Sequence, residues 1–246
     1  MRARPVVRAV SGGLTRRKVQ TVVIFTVLLV STASATLGLG LLVDSDGPFQ
    51  HSFTAQHGAH LMAVIDPGKA SAAQLAATTR LPAVTGAAGP FPEAAVVITA
   101  GDSRPSPAAL AGRTTPGGPV DDLSLDAGRW AQRPGEIVLS RDYFPGPDPA
   151  RLVGSRITVT SAPGRPELIV VGVAKSITDS ADGWVLPAEV AGLRAPRTPA
   201  AAQMLYRFHN ADTQPQLTSD VTALTRALPS GTITGTSSWL TVKTQE

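Results

Sequence analysis

The chain contains no cysteine. No disulfide can brace it, no thiolate can hold a metal and no lipid can be attached through sulfur, so a domain of ordinary size must rest on its hydrophobic core. Aromatic residues are few, with 3 Trp, 2 Tyr and 6 Phe among 246 residues, and that core must be built largely from Ala, Val and Leu. Signatures of chemistry are missing too. There is no G-x-x-x-x-G-K-[ST] run, no H-E-x-x-H and no G-x-S-x-G elbow; Gly235-Thr236-Ser237-Ser238-Trp239 lacks the closing glycine. ATP hydrolysis on a P-loop is thereby excluded, and no hydrolase or zinc-protease motif is on offer.

Positive charge is also missing from most of the chain. The net charge is +4, yet Arg2, Arg4, Arg8, Arg16, Arg17 and Lys18 lie in residues 1–18, which hold no acid. The remainder carries 16 basic against 18 acidic residues and is mildly negative. A nucleic-acid interface needs a basic stripe interleaved with aromatics, and none is found, so no nucleic-acid partner is expected.

From Val19 to Val43 there is no charged residue at all. About 20 apolar residues cross a hydrocarbon core of roughly 30 Å, so this stretch predicts a transmembrane helix. Basic residues before it and Asp44 and Asp46 after it place the 1–18 tail in the cytoplasm and the rest outside, by the positive-inside rule. A cleaved signal peptide is the rival reading, because Ala33-Ser34-Ala35 fits a small-x-small site. The apolar run continues to Val43, beyond that site, which favours an uncleaved anchor in the plasma membrane.

Residues 44–246 then form one extracytoplasmic domain. His60 to Ile65 predicts a strand ended by the Asp66-Pro67-Gly68 turn. Ser71 is placed to cap a helix reaching Leu81, and Glu93 to Thr99 predicts a second strand, together a β-α-β unit. Gly101 to Pro119 is rich in Pro, Gly, Ser and Thr and predicts a loop. Strands follow at Glu136–Ser140, Ser155–Thr160, Glu167–Ala174 and Trp184–Pro187, expected as a small antiparallel sheet or a barrel-like unit. A strand at Gln203–Phe208, a helix at Gln216–Leu228 with Leu217, Val221, Leu224 and Leu228 on one face, and a strand from Gly231 complete the order. The fold class expected is α+β, with a split α/β part (about 59–119 and 197–237) carrying an inserted β part (about 120–190).

Candidate site residues are weak. His51, His57 and His60 fall close together, with His209 elsewhere, but Gly58 interrupts any shared helical face and no metal site is expected. Asp121, Asp122 and Asp126, with Asp179 and Asp182, could be read as an acid/base set; no aromatics flank them to grip a sugar, and solvated loop acids are the better account. No catalytic residue and no cofactor is expected, and the chain is read as a non-enzyme. A hydrolase using those Asp residues, and an anchored or secreted ligand-binding module, are the competing classes.

Several segments, in order, resemble the FtsX-like, MacB-type permeases of actinobacteria. They are Ser11-Gly12-Gly13-Leu14-Thr15-Arg16-Arg17 before the span, Asp44 to His60 after it, Gly128-Arg129-Trp130 with Pro134-Gly135-Glu136-Ile137-Val138-Leu139-Ser140, Val170-Val171-Gly172-Val173-Ala174, Trp184-Val185-Leu186-Pro187 and Ser238-Trp239-Leu240-Thr241-Val242. The resemblance implies a subunit of an ATP-binding-cassette exporter, partnered by an ATPase and by a second permease copy, embedded in the bilayer and working by mechanical coupling. It also implies at least three further membrane helices beyond Glu246, so this chain is expected to be the N-terminal part of such a permease, as a fragment or as a truncated gene product.

Overall fold

The computed structural model describes residues 29, 31–32, 49–101, 103–143 and 148–243. The span expected at 19–43 lies outside the described residues except at 29, 31 and 32, which are helical; the 1–18 tail lies outside them altogether. Among the described residues no helix is long and apolar enough to cross a membrane. Residues from Ser52 onward form one compact unit, separate from the unit that ends at His51.

The first core follows from alternation. Strand β1 (Leu61–Ile65) buries Leu61, Ala63 and Ile65 and turns Met62 and Val64 the other way. Helix α1 (Ala72–Thr78) starts in a capping box, in which the Ser71 hydroxyl accepts from the Gln74 N–H and the Gln74 side chain accepts from the Ser71 N–H. It buries Leu75 and Thr78 and ends three residues short of the predicted Leu81. Strand β2 (Val84–Ala100), β9 (Ala201–Phe208), helix α3 (Gln214–Arg226) and β10 (Ile233–Ser238) complete this part. The strand order β10-β1-β9-β2 is antiparallel throughout. With α1 and α3 as the two crossovers, this is the β-α-β-β-α-β arrangement of a ferredoxin-like sheet. Leu75, Leu217, Leu224 and Leu228 close its core over β1 and β9.

Between β2 and β9 the chain builds a second core. Its strands are β3 (Ser106–Gly112), β4 (Ser124–Gly128), β5 (Glu136–Ser140), β6 (Arg156–Val159), β7 (Glu167–Lys175) and β8 (Gly183–Val185), followed by the short helix α2 (Val190–Leu193). Pairing runs β2-β3-β8-β5-β7-β6 and returns from β6 to β2, so six strands close on themselves. Val96, Ile98, Leu110, Ile137, Leu139, Ile157, Val159, Leu168 and Val170 fill the inside. Closure removes most of the strand edges that would otherwise be left open. β4 lies outside the ring, on the second half of β7.

Two departures from the expectations have physical causes. β5 pairs with β7, and β3 with β8, in parallel, so an all-antiparallel sheet is not formed; apolar alternation marks a strand without marking its partner's direction. The stretch predicted as loop, Gly101 to Pro119, contains β3. Its residues are small because Ala111 packs in a cluster with Trp130 and Trp184, and a Cβ on Gly112 would come within 2.7 Å of Pro187 Cα. Small residues carry little strand signal of their own.

Candidate functional site

Two constellations join parts of the domain that lie far apart in sequence. The first is a buried ionic knot. Asp121 is fully buried, with a left-handed φ of 59°, a conformation Asp tolerates better than most residues. Its Oδ1 accepts from Ser176 Oγ at 2.6 Å and Thr178 Oγ1 at 3.1 Å; its Oδ2 accepts from Ser180 Oγ at 2.6 Å and Arg113 Nη1 at 3.1 Å. Four donors therefore meet a carboxylate with about four acceptor positions, and the charge is fully satisfied. Arg113 is 2% exposed and lies 4.8 Å over the Phe91 ring. Its Nη groups also donate to the backbone oxygens of Asp121 and Pro116. Burial pushes the guanidinium pKa down, and Asp121 works against that push.

The knot ties three segments together. The Asp121 and Asp122 N–H groups donate to His57 O and Gln56 O, so the segment that leads into β1 is hydrogen-bonded to the Asp121 loop. The Asp121 side chain grips residues 176–180, the connection between β7 and β8 of the barrel. Gln203 on β9 donates to Ser180 O from the other side, at 2.5 Å. Glu93, on β2, is pushed up from its ordinary carboxylate range by burial, with Gln203 opposing and Asp182 adding to the shift. Asp182, itself pushed up by burial, accepts from the Ala109 N–H at 2.7 Å.

The second constellation is at the root of the domain. Phe53, His60 and Trp239 form a ring cluster with centroids 5.0 to 5.8 Å apart. The Trp239 N–H donates to His60 O, and its indole N–H donates to Ala211 O at 2.9 Å. His60 Nδ1 accepts from the Phe208 N–H at 2.9 Å, which makes the neutral ring with its proton on Nε2 the form that fits. Burial, helped by Arg207 and opposed by Asp212, lowers the His60 pKa to about 4. Trp239 opens helix α4 (Trp239–Lys243), where the chain leaves the sheet. The chain therefore departs beside the point where it arrived.

No family model matches this chain, and no curated protein does. Among solved structures it is similar to the periplasmic region of MacB from Actinobacillus actinomycetemcomitans, at 13% identity over 78% of this chain and 94% of that one, with a TM-score of 0.40. It is similar also to the extracellular domain of the noncanonic ABC-type transporter YknZ from Gram-positive bacteria, at 12% identity over 70% of this chain and 97% of that one, with a TM-score of 0.39. At TM-scores below 0.5 neither likeness assigns a fold or an activity to this chain.

The candidate residues named from the sequence are scattered. His57 and His209 are exposed, and among the described residues no group of three His, Asp or Glu side chains is gathered as a metal would need. Asp121 is consumed by the knot, Asp126 pairs with Arg141 at 3.2 Å, Asp179 is exposed, and Asp182 caps a strand N–H. Arg113, Gln203 and Glu93 were not singled out from the sequence. One signal was legible: hydroxyls at alternate positions in Ser176-Ile177-Thr178-Asp179-Ser180, directly after an apolar strand.

Proposed function

We propose that this domain is the extracytoplasmic head of an exporter permease subunit, tethered by the 19–43 helix and moved as a body rather than acting as an enzyme. The reading rests first on the sequence resemblance to FtsX-like, MacB-type permeases. The structural observation that supports it is the root cluster, where Trp239 N–H meets His60 O and the arriving and departing segments lie side by side. A domain inserted between two membrane helices of one permease needs that proximity. The knot adds a route for force. A displacement at residues 56–57 pulls on the Asp121 loop, and through its carboxylate on the barrel.

In this reading the partners are an ATP-binding-cassette ATPase, a second permease copy and the bilayer, and the chain neither binds a cofactor nor turns over a substrate. The best-placed carboxylate, Asp121, has every acceptor position occupied by the protein itself. Protease added to intact cells tests the topology: the head should be digested while the 1–18 tail is protected. Survival of residues 60–240 under those conditions, with digestion only after lysis, would overturn the reading. Vesicles holding only this chain and an ATPase are expected to show no ATP-driven export.

A further inference from the structure

Beside the root cluster lies a cavity of about 420 Å³ lined by Thr54, His57, Thr85, Gly86, Pro119 and Arg207. We propose that it is a binding site for a phosphate-type oxyanion, either a free phosphate or the phosphate of a lipid headgroup, with Arg207 as its principal ligand.

Arg207 carries the inference. It sits on β9 opposite Gly86 of β2, half-buried, with its guanidinium 5.7 Å from the Phe53 ring centroid. Among the described residues no carboxylate lies within ion-pair distance of it. A half-buried cation with no counter-ion is costly to keep, and burial accordingly lowers its pKa. Stacking on an aromatic ring leaves the edge of the guanidinium, with its forked N–H donors, free for an oxyanion. Around that edge the wall supplies the right chemistry. Thr54 and Thr85 offer hydroxyls that no other described group of the protein takes up, and His57 adds an imidazole. Gly86 keeps the wall low: a Cβ there would come within 3.9 Å of Arg207 Cβ and 3.2 Å of Val120. One cation, hydroxyl donors and no acidic lining residue select an anion over a cation or a neutral apolar ligand. The anion source is not fixed by this chemistry, because a phosphodiester and inorganic phosphate present the same oxygens.

The test uses the full chain in uncharged, phosphate-free detergent micelles. Inorganic phosphate is titrated calorimetrically against the wild type, Arg207→Met, and the double variant Thr54→Val/Thr85→Val, at constant ionic strength set with chloride. Saturable binding is expected for the wild type. Losing a charge-assisted contact should weaken it by about tenfold or more in Arg207→Met, and losing the two hydroxyls by about tenfold. Short-chain dihexanoyl phosphatidylglycerol is then added as competitor: displacement of phosphate identifies a headgroup site, and failure to displace identifies a free-anion site. No saturable binding by the wild type, or unchanged affinity in Arg207→Met, overturns the proposal. Should Arg207→Met fail to fold, the double variant decides, since both its positions are exposed; unchanged affinity there overturns the proposal equally. Neither result bears on the membrane topology, which the protease experiment tests separately.

Discussion

Replacing Asp121 by Asn keeps the volume and a residue type that tolerates φ near 59°, removes the charge, and turns one of the two acceptor oxygens into an NH2 group facing donors. Arg113, with its side chain 1% exposed, then loses its ion pair and keeps only the weaker pull of Asp122. Breaking a buried pair from one side costs about 3–5 kcal/mol, because the remaining charge stays desolvated. Against a domain stability of about 5–15 kcal/mol, that is a large fraction. Adding Arg113→Met removes the stranded charge while keeping an unbranched apolar chain over Phe91. The double variant should therefore regain about 2–3 kcal/mol of the loss. Recovery is expected to be incomplete, since the Pro116 and Asp121 carbonyls lose the donors that Arg113 supplied, at about 1 kcal/mol each. Guanidinium unfolding of the full chain, followed by tryptophan fluorescence, measures this. Trp130 is a local reporter, because its indole N–H bonds to Arg113 O at 3.2 Å and its ring lies 6.1 Å from Trp184. An Asp121→Asn cost below about 1 kcal/mol, or a double variant no more stable than the weaker single variant, would refute the account of the knot given above.

Trp239→Ala should cost about 3–4 kcal/mol and raise amide exchange around His60 and Ala211 before it does so in the barrel; uniform exchange throughout would count against a local clamp. His60 has a native pKa near 4 against an ordinary 6.5, so the unfolded chain takes up the proton first as the solution is acidified. Its contribution is complete above pH 6.5 and fades as pH falls to about 4. After allowance for partial exposure it amounts to about 2 kcal/mol, and His60→Gln should lose that part of the slope in this window, while Glu93 and Asp182, pushed up by burial, keep contributing with the opposite sign. Gly89→Ala should destabilise by about 2–4 kcal/mol in the same unfolding assay, because φ is 110° there and the new Cβ would lie 2.5 Å from Gln203 O; a neutral result would mean that β2 and β9 separate easily.

Where the sequence spoke clearly, it did so through local periodicity. Leu61, Ala63 and Ile65 alternate because one face of β1 is covered, and Leu217 and Leu224 recur because one face of α3 is. Ser71 with Gln74 is a cap that can be read from spacing alone. The knot was not legible in this way. Arg113 and Asp121 flank a stretch of Pro and Gly that reads as a solvated loop, and nothing local says that barrel closure brings 176–180 onto it. The root cluster was hidden for the same reason: Phe53 and Trp239 meet only because β1 and β10 pair. β3 was missed because its small residues, Ala108 packed inside the barrel and Ala111 beside Trp184, resemble filler in a loop.

The two cores are not separate bodies on a linker, and β2 is the reason. Its early residues, through Glu93, pair with β9 of the ferredoxin-like sheet, and from Glu93 to Ile98 it pairs with β3 of the barrel. Glu93 belongs to both ladders, opposite Ala201 on one edge and Ala111 on the other. Rotating one part against the other would require breaking hydrogen bonds on both edges of one continuous strand. The knot crosses the same boundary a second time, independently of β2, from the Asp121 loop to Gln56 and His57 and from Ser180 to Gln203 of β9. A strand and an ionic anchor at separate places resist twisting better than either alone, because motion allowed by one is opposed by the other. Force applied at the Phe53–His60–Trp239 root is thus expected to reach the far strands of the barrel with little loss inside the head. Under the proposed reading, that stiffness is what would let the head move as one body.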